Sequence, residues 1–67
     1  MIYGTFAQRL RTRREAAGLS VYNLAARAGL SFQAVYRYEA GKRAPTWEAV
    51  QKLATALGVS TEQLRPD

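Results

Sequence analysis

The chain is punctuated by a repeated device: Ala17-Gly18-Leu19-Ser20, then Ala28-Gly29-Leu30-Ser31, with Gly58-Val59-Ser60 as a third version. Each copy ends one helix and starts the next. Glycine enters the left-handed region after a last helical turn without a Cβ penalty, and the apolar residue behind it packs back onto that turn. The serine then accepts from the orphan N–H groups of the next first turn, worth about 1 kcal/mol per cap. The interval from Ser20 to Ser31 encloses one short helix and one tight turn. No strand pattern competes.

Three further signals complete the map. Thr5 with Gln8 and Ser60 with Gln63 both fit a capping box, and Ala44-Pro45-Thr46 breaks the chain before a new cap. The pattern predicts an all-α fold of five helices, at Phe6 to Ala17, Val21 to Ala28, Phe32 to Ala40, Trp47 to Leu57 and Thr61 to Leu64. Helical periodicity gathers Val21, Leu24, Ala25 and Ala28 on one stripe of the second helix. It gathers Trp47, Val50, Leu53, Ala54 and Leu57 on the fourth, and Phe6, Leu10 and Ala17 on the first. Leu19, Leu30, Val59 and Leu64 join this core from the junctions. Arg13 falls on the inward side of the first helix, where its stem is expected along the core edge with the guanidinium reaching water.

Composition limits what such a bundle can do. The chain has 67 residues, with ten Lys and Arg against five Asp and Glu, and a net charge of +5. That fits one small basic domain spanning residues 1–67, with one modest core. There is no cysteine and no histidine, which removes disulfides, zinc fingers and a Ser/His/Asp triad. Hydrophobic content of 48% exceeds that of a disordered polycation, and no apolar run reaches the roughly 20 residues of a membrane span. A soluble globular protein is expected, and with no secretory signal behind Met1, a cytoplasmic one. Glu15, Glu39, Glu48, Glu62 and Asp67 are too scattered for a metal cluster or an acid/base pair, so no metal and no cofactor are expected. Ser20, Ser31 and Ser60 are caps rather than nucleophiles, since no base is present to activate them. No enzyme activity is expected.

The third helix divides most sharply. Ala34, Val35, Tyr38 and Glu39 share one arc, while Phe32, Gln33, Tyr36 and Arg37 fill the arc facing outward. Two aromatics, an amide and a guanidinium do not make an ordinary solvated face. Each has a use in the DNA major groove: Arg37 can fork onto guanine O6 and N7, Gln33 can pair with adenine, and Phe32 can lie against a thymine methyl. Tyr36 can donate to a phosphate or stack on sugar. The alternative is that Phe32 and Tyr36 pack on each other or on a neighbouring chain. Arg9, Arg11, Arg13 and Arg14 read as a solvated helix face, with Arg11 a candidate for phosphate contact. Lys52, Arg27 and Arg65 read as surface.

A short helix, a turn with glycine and a second helix with a reading face is the organisation of a helix-turn-helix, here at about residues 21–40. The stretch from Phe6 to Leu64 resembles the phage repressor and Cro type of helix-turn-helix domain, the xenobiotic response element family of bacterial and phage regulators. The resemblance rests on Arg9 to Arg11, Arg14, Gly18-Leu19-Ser20, Leu24-Ala25, Ala28-Gly29-Leu30-Ser31, Glu39, Gly41-Lys42-Arg43, Pro45, and Leu53-Ala54 through Leu57-Gly58-Val59-Ser60. It implies a lambda-repressor-like five-helix bundle that binds double-stranded DNA, usually as a homodimer, with the third helix in the major groove. Phe32, Gln33, Tyr36 and Arg37 occupy the family's base-reading positions. Ser31, Lys42 and Arg43 occupy its phosphate-contacting positions, and Arg14 and Glu39 match its ion pair between the first and third helices. The chain departs from the family at Val21, where a phosphate-binding glutamine is common, at Arg13, where leucine is common, and at Ala40. Tyr22 is the substitute for the lost glutamine clamp.

The expected function is sequence-specific binding of a palindromic operator by a transcriptional regulator, a repressor acting as a dimer. The rival is a protein-interaction module, or an antitoxin, that uses Phe32 and Tyr36 to bind a partner protein.

Overall fold

The computed structural model describes residues 4–64. Arg65, read as surface, and Asp67 lie outside the described residues. Among the described residues there are four α-helices, α1 (Gly4–Ala16), α2 (Val21–Ala28), α3 (Phe32–Glu39) and α4 (Trp47–Leu57), followed by a single 3₁₀ turn at Thr61–Gln63. The fold is all-α. The count of five is corrected: among the described residues the segment after Ser60 closes as a 3₁₀ turn, with i to i+3 hydrogen bonds, rather than as a fifth α-helix. Among the described residues no helix is long and apolar enough to cross a membrane.

The punctuation works through hydrogen bonds that can be named. After α2, Gly29 sits at φ 70°, with its N–H donating to the Ala26 carbonyl at 3.3 Å and the Leu30 N–H donating to the Ala25 carbonyl at 3.0 Å. That is the Schellman arrangement. Gly18-Leu19 and Gly58-Val59 repeat it. Gly41, φ 71°, makes a fourth that the sequence reading did not identify: the Gly41 and Lys42 N–H groups donate to the Tyr38 and Arg37 carbonyls at 3.1 and 3.0 Å. At the helix starts, Ser20 Oγ accepts from the Asn23 N–H, Ser31 Oγ from the Ala34 N–H and Thr46 Oγ1 from the Ala49 N–H, all at 3.0–3.1 Å. Gln63 Oε1 accepts from the Ser60 N–H at 3.0 Å. Thr5 lies inside α1, which is already helical at Gly4, so the Thr5 and Gln8 box does not start that helix.

Phe6, Leu10, Leu24, Val35, Leu53 and Leu64 are completely or almost completely buried, joined by Ala25, Ala28, Tyr38, Ala49, Val50 and Ala54. Leu19, Val21, Leu30, Leu57 and Val59 pack against this cluster from its rim. α2 packs on α4 and α3, and α1 packs on α3. Three core assignments are corrected. Trp47 is 54% exposed: as the first residue of α4 its side chain leans toward the helix start, past the packed turn, and Ala49 is buried in its stead. Ala17 lies beyond the end of α1 and is exposed, and Arg13 is exposed. The inward stripe of α1 is Phe6, Ala7 and Leu10, with Arg14 rather than Arg13 next in line.

Candidate nucleic-acid interface

α3 is held from behind by two kinds of contact. Its apolar face buries Val35 and Tyr38, and the Tyr38 ring meets Phe6 of α1 edge-on, with centroids 6.2 Å apart. At its C-terminal end Glu39 receives a forked bond from Arg14: Nε donates to Oε2 at 2.6 Å and Nη2 to Oε1 at 3.0 Å. Arg14 Nη1 donates to the Leu19 carbonyl at 2.8 Å. One guanidinium therefore ties together the end of α1, the turn after it and the end of α3. The side chains are 13% and 6% exposed, so this is a largely desolvated pair whose polar groups are satisfied. Hydrogen bonding to Glu39 raises the Arg14 pKa above its ordinary value; burial opposes the shift, and the charges of Glu39 and Glu15 reinforce it. Arg11 stands 3.8 Å from the same carboxylate while staying mostly exposed.

The other face of α3 is open. Phe32, Gln33, Tyr36 and Arg37 are all exposed. They form two rows at i, i+4 spacing, an aromatic row of Phe32 and Tyr36 and a polar row of Gln33 and Arg37. The aromatic rings stack on each other, centroids 6.1 Å apart and 25° between planes, so the rings pair without leaving the surface. Tyr22 of α2 is 67% exposed and lines a groove with Ala25, Ala26, Leu30 and Phe32. Ser31 is exposed, its Oγ accepting from Ala34 while its hydroxyl hydrogen remains available to a further acceptor. Where the family's glutamine is missing, Val21 shares a cleft with Arg11, Arg14, Tyr36, Glu39 and Ala40.

Lys42 and Arg43 follow α3 and behave differently. In the other three Schellman turns the residue after glycine is Leu19, Leu30 or Val59, packed against the core. In the fourth it is Lys42, which is exposed. Arg43 lies over the Tyr38 ring at 5.8 Å, a cation–π contact that fixes its guanidinium near the end of α3. This contact was missed in the sequence. Its only signal is an aromatic at Tyr38 and a cation five positions on, across a glycine.

Charge is distributed to suit one kind of ligand. From Ser20 to Arg43 the sole acid is Glu39, which Arg14 neutralises from behind. Arg27, Arg37, Lys42 and Arg43 therefore face outward with no acid among them.

A capped two-helix unit whose second helix offers such a face defines a helix-turn-helix module. Residues 5–66 match the family described as "Helix-turn-helix domain", and the chain belongs to that family. It is 37% identical over 59 residues to the SPbeta prophage-derived HTH-type transcriptional regulator YonR of Bacillus subtilis (strain 168), covering 88% of this chain and 55% of that relative. The chain thus spans about half the length of that regulator. Its fold matches the crystal structure of the restriction-modification controller protein C.AhdI from Aeromonas hydrophila with a TM-score of 0.91 and 40% identity, over 94% of this chain and 96% of that one.

Proposed function

We propose that this chain acts as the DNA-reading part of a transcriptional repressor, working in the cytoplasm, with two copies occupying a palindromic operator. The observation that carries this reading is the acid-free outer surface from Ser20 to Arg43, with Glu39 turned inward and neutralised. Phosphates repel carboxylates, and a reading helix with none exposed can approach the backbone closely. Phe32, Gln33, Tyr36 and Arg37 read base edges. Lys42, Arg43, Ser31, Tyr22 and Arg11 contact phosphates, which positions the domain without carrying sequence information. Repression follows from occupying the promoter, with no catalytic step.

Selection from a random duplex pool tests this reading. Recovery of a two-fold symmetric motif is the expected result. A dimer neutralising about six to ten phosphates should then show a slope of log K against log salt of about −5 to −9. No enrichment, with a slope near zero, would favour a protein-interaction or antitoxin role, for which the exposed Phe32 and Tyr36 stack is the supporting feature.

A further inference from the structure

We propose that the groove between α1 and the 3₁₀ turn binds the phosphate group of a small phosphate-bearing molecule, at a site separate from the reading face of α3.

The groove has a volume of about 310 Å³ and is lined by Gln8, Arg9, Thr12 and Arg13 of α1 and by Gln63 of the turn. Helical period explains why these residues share it. Arg9 and Arg13 stand one turn apart, as do Gln8 and Thr12, and at 100° per residue the four fall within an arc of about 140°. The same period puts Arg11 and Arg14 on the other side of the Phe6 and Leu10 stripe, where both approach Glu39 of α3. α1 therefore turns two arginines toward α3 and two away from it.

The walls hold donors and no acid; Glu15 and Glu62 are not among them. Arg13 is exposed and makes no ion pair among the described residues. Gln63 is oriented by its capping role: its Oε1 accepts from the Ser60 N–H at 3.0 Å, so what remains for another partner is its pair of amide N–H donors. The Gln8 amide and the Thr12 hydroxyl can each donate or accept.

This set suits one ligand chemistry. Two guanidiniums repel a cation, and an apolar ligand would strip their water and return no hydrogen bond. A planar carboxylate is used up by one guanidinium fork. A tetrahedral phosphate has oxygens left over after that fork, which Gln63 can meet from the opposite wall. Its proton, where present, finds an acceptor at Thr12 or Gln8. The source follows from the position of the groove. A duplex held on α3 lies against the other flank of α1, so the phosphate belongs to a free molecule; this choice of source rests on the DNA reading above.

The test is thermal unfolding of the intact chain in inorganic phosphate and in glycerol phosphate, each against chloride at equal ionic strength. Both should raise the midpoint with a saturating dependence, by about 6–11 °C at ten times the dissociation constant. General salting-out by phosphate does not saturate and acts alike on all variants. Arg13→Gln should weaken phosphate binding about tenfold. Gln63→Glu keeps the acceptor of the capping box but replaces the donors with a charge, and should abolish binding. Both change exposed side chains. Should either variant fail to fold, amide NMR shifts of the unaltered chain decide, with Thr12, Arg13 and the Gln63 side chain expected to move together and to saturate. A midpoint rise that neither saturates nor differs between the variants and the unaltered chain overturns the site. An equal, saturating response to acetate overturns the assignment to phosphate, and a response to inorganic phosphate without one to glycerol phosphate overturns the phosphate-bearing molecule. If Arg13→Gln loses affinity for the selected duplex as well as for phosphate, the groove is a DNA backbone contact and the free source is overturned. The phosphate titrations use no DNA, so failure of this site and failure of the DNA reading show in separate experiments.

Discussion

Tyr36 and Glu39 lie within one turn of each other on α3, and their positions invert what polarity alone suggests. The carboxylate is 6% exposed in its side chain, whereas Tyr36 is 56% exposed and Phe32 47%. The difference lies in their partners. Glu39 meets the fork of Arg14, which supplies two hydrogen bonds and an opposite charge and so offsets desolvation. Tyr36 and Phe32 stack on each other, which removes just part of their surface from water. One end of α3 is fastened by a charged pair, and its outer side is left exposed, with an aromatic row beside a polar one. A helix built this way resists displacement while keeping its contact face open.

The largest expected effect falls on the fastened side. Arg14→Ala and Glu39→Ala should each cost about 2–4 kcal/mol, since each leaves a charge poorly solvated. Denaturant midpoints of the two single variants and the double variant measure it. Strictly additive losses would break the comparison, because they would mean that the two side chains do not act as a pair.

On the open side, Arg37→Ala should leave stability within about 0.5 kcal/mol. It should weaken binding to the selected duplex by about 1–3 kcal/mol and relax the choice at one base pair of each half-site. Equilibrium titration with the selected duplex and its point variants reads both. If a scrambled duplex loses as much affinity as the selected one, α3 is not the reading element.

A smaller effect separates the caps. Ser31→Ala should lower stability by about 1 kcal/mol, because Ser31 Oγ accepts the Ala34 N–H. Ser60→Ala should cost less, since the Ser60 backbone N–H donates to Gln63 Oε1 at 3.0 Å, a bond the substitution keeps, while the Ser60 hydroxyl reaches that oxygen at 3.5 Å. Thermal unfolding of the two variants, side by side, gives the ranking.

The smallest effects sharpen the distinction between the two cations after Gly41. Lys42→Ala should leave stability unchanged, weaken all duplexes by a similar factor and lower the salt slope by about one unit per subunit. Arg43→Ala should do the same and also cost about 0.5–1 kcal/mol of stability through its lost contact with Tyr38. Equal stability for the two variants would show that the cation–π contact adds nothing.

Much of this was legible along the chain. The Gly18, Gly29 and Gly58 junctions and the caps at Ser20 and Ser31 are local devices, fixed by residues within one turn of each other, and the structure follows them closely. The two faces of α3 were legible because eight residues with strong contrast leave little choice of orientation. Gly41 was harder to identify, since Lys42 stands where the other junctions carry an apolar residue. The charged stripe of α1 was misread for a different reason. From Phe6 and Leu10, helical spacing admits either Arg13 or Arg14 as the next inward position, and the four arginines give no contrast to decide between them.

The sequence by itself determined where helices stop and start, which segments carry the apolar stripes, that no thiol or imidazole chemistry is available, and which side chains share the outer face of α3. These follow from short-range sterics, hydrogen bonding and helical period. Tertiary structure decided what depends on residues far apart in the chain. It turned Arg14 inward because Glu39 arrives there from α3, 25 residues away. It placed Arg43 over a ring that Phe6 meets edge-on. It left Trp47 outside, because the core beneath α4 is filled by Ala49, Val50 and Leu53. Periodicity can say that a side chain lies near a boundary, but which way it turns depends on the partner across that boundary, and packing supplies that partner.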